Sequence, residues 1–210
     1  MPNSYLRQSP LAHLHLDARA ISTSNFPPEQ ILISEIRFRD MLNLRGTKKD
    51  PNFTSAIQKT AGCNLPEKLN TASRGDPDVR IFSLGPDEWL IVTKSGDGNI
   101  LKKKIQKQIK QQYAAITPVG DGKTIIRLTG DNVRFLLAKG CTLDLHASAF
   151  QSGQCAQTLL ARANILLHCI KSNSSDADIF DVYVARSFAD YAWKWIEDAG
   201  REYKIAVIRT

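Results

Sequence analysis

Hydrophobic periodicity switches along this chain between two and about 3.6 residues in a set order, and that order restricts the fold more than any single motif. Within Ile31 to Arg45, the residues Ile36, Phe38, Leu42 and Leu44 share one parity, while Arg37, Arg39, Asn43 and Arg45 share the other. The segment reads as a strand with one face on a core. Asp50-Pro51 then opens a helix, since Asp caps free amides and Pro fits the first helical position. Phe53, Ala56, Ile57 and Thr60 follow at helical spacing, and Gly62 can end the helix in the left-handed conformation. The polar stretch Asn64 to Asp78 reads as a loop. Val79 to Leu84 and Trp89 to Thr93 read as strands joined by a Gly85-Pro86-Asp87-Glu88 hairpin loop. Ile100, Leu101, Ile105, Ile109 and Tyr113 mark a second helix, and Ala114 to Val119 a short strand. The result is strand, helix, strand, strand, helix, strand, the ferredoxin-like order.

The second half repeats it. Lys123 to Thr129 reads as a strand, Asp131 to Lys139 as a helix ended by Gly140, and Gln154 to Ala161 with Asn164 to Ile170 as a hairpin. After the polar break Lys171 to Asp178, Ile179 to Val184 alternates as a strand. Ser187, with Asp190 three positions on, suggests a capped helix with Phe188, Ala192, Trp195 and Ala199 on one face, ended by Gly200. Lys204 to Arg209 reads as a last strand, and this half carries an extra strand relative to the first. The expectation is an α+β chain of two ferredoxin-like βαββαβ halves packed together, 31–120 and 121–210, behind an extended amino-terminal segment, 1–30.

The 42% hydrophobic and 23% charged composition over 210 residues suits a chain that buries a core. No stretch reaches the roughly 20 apolar residues a membrane helix needs. The apolar run near Leu11 to Leu16 is too short for a signal sequence, so no membrane association and a cytoplasmic location are expected. The formal charge is +7, but Lys102, Lys103, Lys104, Lys107 and Lys110 supply five of those charges and lack interleaved aromatics, so nucleic acid is not the expected partner. A solvated helix face is the simpler reading of the lysines, phosphate or a polyglutamate tail the alternative.

Reactive constellations are missing from the sequence. There is no GxSxG, HExxH or GxxxxGK[ST] pattern, and Gly96-x-Gly98 lacks a third glycine and reads as a loop. Cys63, Cys141, Cys155 and Cys169 form no CxxC pair and read as small buried hydrophobes. His13 and His15 lack companion ligands and read as surface or interface residues. Cys155 with His168 offers a thiolate pair only if the fold joins them. Asp121-Gly122 before a strand reads as a turn, with a ligand-binding carboxylate as the alternative. Phe188, Tyr191, Trp193 and Trp195 crowd one helix, more than one face can bury, which points to protein contact or to burial against the rest of the chain.

Several blocks carry a family resemblance: SPLAHL at Ser9 to Leu14, LNLRG at Leu42 to Gly46, GPDEWL at Gly85 to Leu90, LLAKGCTLDL at Leu136 to Leu145, CAQTLLARA at Cys155 to Ala163 and ARSFADYAWKWIEDAGREY at Ala185 to Tyr203. Together they resemble the gamma subunits of heterotetrameric sarcosine oxidases. The resemblance implies a cytoplasmic complex of alpha, beta, gamma and delta subunits that demethylates sarcosine to glycine, with methylene transfer to tetrahydrofolate. It implies FAD, FMN, NAD and tetrahydrofolate in other subunits, zinc in delta, and no cofactor, metal or catalytic residue in this chain. It further implies a fold similar to part of the folate-binding aminomethyltransferases and packing chiefly on alpha. This chain departs from the family pattern at Pro118-Val119-Gly120, where many members have an acidic residue and a serine. The expected contact residues are Leu143, Leu145, His146, Phe188, Tyr191 and Trp193, from the 136–146 loop and the 187–199 helix. The isolated chain is then an accessory subunit, an enzyme only as part of the oxidoreductase complex. The alternative is a free-standing folate-binding one-carbon protein.

Overall fold

A computed structural model describes residues 7–21, 31–75, 78–109, 113–173 and 176–209. In chain order the elements are α1 (Leu16–Arg19), β1 (Ile31–Ile36), β2 (Asp40–Arg45), α2 (Pro51–Ala61), β3 (Ala72–Gly75), β4 (Val79–Gly85), β5 (Glu88–Thr93), α3 (Asp97–Gln108) and β6 (Ala115–Pro118). They continue with β7 (Lys123–Thr129), α4 (Val133–Ala138), β8 (Cys155–Leu160), β9 (Ala163–Asn173), β10 (Asp176–Ala185), α5 (Ala189–Ala199) and β11 (Ile205–Val207). The chain divides into two compact units, one of residues 1–37, 122–152 and 158–210, the other of residues 38–121 and 153–157. Residues 31–37 therefore group with the later part of the chain, not with 38–120.

In the unit of residues 38–121 the sheet order is β3-β4-β5-β2-β6 and every pair is antiparallel. Without β3, that is the ferredoxin-like order: β2, β4, β5 and β6 are its four strands, and α2 and α3 its two crossovers. Leu44, Phe53, Ile57, Ile81, Trp89, Ile91 and Ile105 form the core, with the Phe53 and Trp89 rings 5.8 Å apart and tilted at 43°. α2 starts and stops as its sequence dictates. Asp50 accepts a hydrogen bond from the Asn52 amide at 2.8 Å, Pro51 holds the first position, and Gly62 at φ 71 closes the last turn onto Gln58.

α3 begins earlier than the apolar spacing suggests. The Gly96-Gly98 stretch is its opening turn, not a loop, and the cap comes from another element. The Asp40 carboxylate, at the start of β2, accepts from the Gly96 and Gly98 amides at 2.8 and 2.9 Å. A side chain at position 98 would put its Cβ 2.6 Å from Asp40 Cβ, so glycine is required for the approach. Asp40→Ala is expected to lower stability by about 1–2 kcal/mol, read as a lower urea midpoint at unchanged slope. The buried stripe of α3 is Leu101, Ile105 and Ile109. Ile100 and Tyr113, expected on it, are exposed. Lys110 lies outside the described residues.

In the other unit the sheet order is β11-β1-β7-β10-β9-β8. β7, β9 and β10 with α4 and α5 repeat the ferredoxin-like pattern, but β1 takes the place beside β7 that a fourth strand would fill. β1 runs antiparallel to β7 and parallel to β11, which pairs at the outer side with Ile31 opposite Ile205. The single strand expected over Ile31 to Arg45 is thus two strands in two sheets, broken at 37–39 where Phe38 takes φ 58. The extra-strand expectation also changes. β8 has a counterpart in β3, which falls in the stretch read as a loop, so both halves carry an edge strand and β1 is the addition. α5 opens through a 3-10 turn, Arg186–Phe188, with no side-chain cap from Ser187. Its buried residues are Ala189, Ala192, Trp193 and Ile196, rather than a face through Phe188 and Ala199.

The amino-terminal segment is not extended where it is described: Ala12–Leu14 is a 3-10 turn and α1 follows. Residues 1–6 and 22–30 of that expectation lie outside the described residues. Leu11 and Leu16 are buried, and polar groups flank them. Arg37 donates to both Asp17 oxygens at 2.8 and 3.0 Å, His13 Nε2 meets Asp190 at 2.8 Å, and Arg19 pairs with Glu197. The hydrogen bonds from Arg37 hold the Asp17 carboxyl below the ordinary aspartate value of 3.8, and those from Lys194, then His13, do the same for Asp190. A carboxyl with a depressed folded-state value contributes fully above its unfolded value and is lost as pH falls through the folded one. Amide-exchange protection of residues 9–19 is therefore expected to fall below about pH 4, ahead of protection in α2.

Candidate functional site

The buried charges of the unit holding β7 to β11 are consumed inside the fold. Asp181, fully buried on β10, receives Arg127 Nε and Nη2 from β7 at 2.7 and 2.9 Å. Arg134 on α4 donates to Asp178 and Ser172, each at 2.7 Å, and to the Leu145 carbonyl, while its guanidinium lies 4.9 Å from the Phe180 ring centre. Glu35 on β1 accepts from the Ser9 and Thr124 hydroxyls and, at 3.3 Å, from Arg37. Each group meets a partner of opposite charge or a hydrogen-bond donor, the condition for burying a carboxylate or guanidinium.

The cysteines are free thiols, three of them buried. Burial pushes Cys155 up to about 12 and Cys169 up to about 11, the reverse of what an activated nucleophile needs. His168 is buried on β9. Among the described residues there is no group of three or more His, Cys, Asp or Glu side chains placed to hold a metal, and no helix long and apolar enough to cross a membrane. Asp121 sits exposed in the 3-10 turn Gly120–Gly122 ahead of β7, in the turn position its sequence suggests.

What the unit does offer is apolar surface on its helices. Phe188 and Tyr191 are 42% and 37% exposed, their rings edge-on at 6.5 Å. Phe135 on α4 is 66% exposed and was not flagged by the sequence. Its signal was present, because Val133, Leu136 and Leu137 form the buried stripe and leave Phe135 off it. The six expected contact residues separate. His146 is exposed, its Nδ1 2.7 Å from the Ser148 hydroxyl, and Leu143 is half-buried. Leu145 and Trp193 are core residues, at 5% and 0% exposure, enclosed within the chain itself. Trp193 turns inward because Ala189, Ala192 and Ile196 share its face of α5.

The model of the sarcosine oxidase gamma subunit family matches residues 45–202. The sarcosine oxidase subunit gamma of Corynebacterium sp. (strain P-1) is 23% identical over 198 residues, covering 94% of this chain and 92% of that one. Among solved structures, a chain of the heterotetrameric sarcosine oxidase from Corynebacterium sp. U-96, in complex with pyrrole 2-carboxylate, superposes with a TM-score of 0.81 at 23% identity, covering 96% of this chain and 98% of that one. The glycine cleavage system aminomethyltransferase T of Bartonella henselae superposes with a TM-score of 0.69 at 12% identity, covering 97% of this chain and 59% of that one.

Proposed function

The chain belongs to the sarcosine oxidase gamma subunit family, and from that premise we propose that it is a non-catalytic accessory subunit of a heterotetrameric oxidase acting on sarcosine or a related N-methylated amine. Its partners are the companion subunits, chiefly alpha. FAD, FMN, NAD and tetrahydrofolate are bound by those partners, and the complex works in the cytoplasm, a reducing compartment that suits four free thiols. The observation that carries the reading is the contrast between the two kinds of side chain in the β7–β11 unit. Its buried charges are paired within the fold, while Phe135 on α4, Phe188 in the turn before α5 and Tyr191 on α5 are held out to solvent. Exposed aromatics on rigid helices suit protein contact. Leu143 and His146 belong to the same proposed surface.

Co-expression with the companion subunits tests this. Phe135→Ser/Phe188→Ser/Tyr191→Ser is expected to keep the native circular dichroism and to co-purify at least about tenfold less with the tagged complex. Equal recovery of variant and wild type would overturn the surface. The likeness to aminomethyltransferase T supports a second reading, a free-standing folate-binding protein. Saturable binding of tetrahydrofolate by the isolated chain would favour that reading.

A further inference from the structure

We propose that the exposed ridge of α3 is a second contact surface, shaped for an acidic patch on a companion subunit. The proposal rests on the accessory-subunit reading above. Leu101, Ile105 and Ile109 bury one face of the helix, and at helical spacing Ile100, Lys103, Lys104 and Lys107 fall on the opposite face. All four are exposed, Ile100 at 55%. Lys102 flanks the ridge half-buried.

Two features set this ridge apart from an ordinary solvated face. The first is its charge arrangement. Elsewhere in the same unit Arg39 is matched with Asp78 and Arg45 with Glu88 and Asp87, whereas α3 gathers four lysines on one helix. Among the described residues none of Lys102, Lys103, Lys104 or Lys107 has a carboxylate within ion-pair distance, and Asp97 in the first turn is the only acid on the helix. Lys103–Lys107 and Lys104–Lys107 are like-charge neighbours at i, i+4 and i, i+3, which disfavours the free helix and would be relieved by an opposing acidic surface. The second is Ile100, a large apolar side chain held among these lysines. A nucleic acid backbone or a phosphate has no use for it, whereas a protein contact gains from an apolar spot ringed by charge. The amino-terminal amides of α3 are already taken by Asp40, so the recognition lies along the ridge and not at the helix end.

The experiment uses the complex co-expressed from all its subunits, tagged on a subunit other than this one. Retention of this chain is measured at about 0.05 M and about 0.5 M NaCl, where the screening length differs several-fold. Lys103→Gln/Lys104→Gln/Lys107→Gln keeps helix propensity and removes the like-charge pairs, so circular dichroism is expected to be unchanged and the melting temperature equal or slightly higher. Its apparent dissociation constant is expected to rise about tenfold or more at low salt and to approach the wild-type value at high salt. Ile100→Ser is expected to weaken retention at both salts. If the triple variant melts early, Lys103→Gln alone carries the comparison. Wild-type and variant retention equal at both salts would overturn the ridge while leaving the accessory role standing. So would lysine-dependent binding to a random DNA duplex or to anionic vesicles with retention on the complex unchanged. A wild-type chain that co-elutes with no companion subunit would overturn both readings.

Discussion

Replacing Arg127 with methionine is expected to cost about 3–5 kcal/mol of folding free energy, the effect of stranding a buried charge. Arg127 and Asp181 face each other in register on β7 and β10, near the middle of the six-stranded sheet. The pair is asymmetric. The Asp181 side chain has 0% exposure, whereas Arg127 retains 29%. Removing the arginine takes from an interior carboxylate the two charge-assisted hydrogen bonds that Arg127 donates. Removing the aspartate leaves a guanidinium that can still reach water. Asp181→Ala should therefore cost less than Arg127→Met, although it deletes the more buried residue. The double replacement Arg127→Met/Asp181→Leu should recover much of the loss, because a packed apolar pair is an adequate substitute for a buried ion pair. Urea denaturation of the three variants at neutral pH tests the order. If Arg127→Met proves no worse than Asp181→Ala, the account of desolvation at Asp181 is wrong.

The pair also shows where sequence reading stopped. Local signals were legible. Asp50-Pro51 and Gly62 marked both ends of α2, Gly85 to Glu88 marked the β4–β5 turn, and the strand expected over Lys123 to Thr129 matched β7 residue for residue. The mixed α+β order of two ferredoxin-like patterns followed from these. Pairing between distant strands was not legible, because nothing in Ile31–Ile36 says that its neighbours are β7 and β11. The parity of hydrophobic residues ran on through Phe38, so the break between β1 and β2 was hidden. β3, read as Ala-Ser-Arg-Gly, is held by its edge pairing with β4 and has no apolar face to announce it. In the same way Asp40 caps α3 from another strand, a contact that local spacing around Gly96 cannot reveal.

The contact surface was harder to read for a different reason. Four aromatics within Phe188 to Trp195 exceed what one helix face can bury, but composition alone does not say which turn inward. Three-dimensional packing decides it. Trp193 is enclosed, while Trp195 is only half-buried and lies where a side chain on Gly140 would stand, 2.5 Å from its ring. Phe188 falls in the 3-10 turn that precedes α5 and stays outside with Tyr191. Phe135 was overlooked because α4 is six residues long, too short for its stripe to stand out beside Leu136 and Leu137.

Trp193→Ala is expected to cost about 3–5 kcal/mol, as for other fully buried large-to-small replacements. Tyr191→Ala, two residues away, should change stability by no more than about 0.5–1 kcal/mol. The difference follows from exposure, 0% against 37%, on one helix. Trp193→Phe gives a finer test. The Trp193 indole nitrogen has no hydrogen-bond partner among the described residues, so phenylalanine removes an unsatisfied donor while keeping most of the packed volume. Its cost should fall well below that of alanine. Retention on the co-expressed complex should reverse the order: Tyr191→Ala weakens it while leaving the melting temperature nearly unchanged, and Trp193→Phe leaves it intact. A Tyr191→Ala chain that melts as early as Trp193→Ala would place Tyr191 in the core and remove it from the proposed surface. A Trp193→Phe chain that folds normally but leaves the complex would mean that the indole, though enclosed here, is exposed when the subunits join.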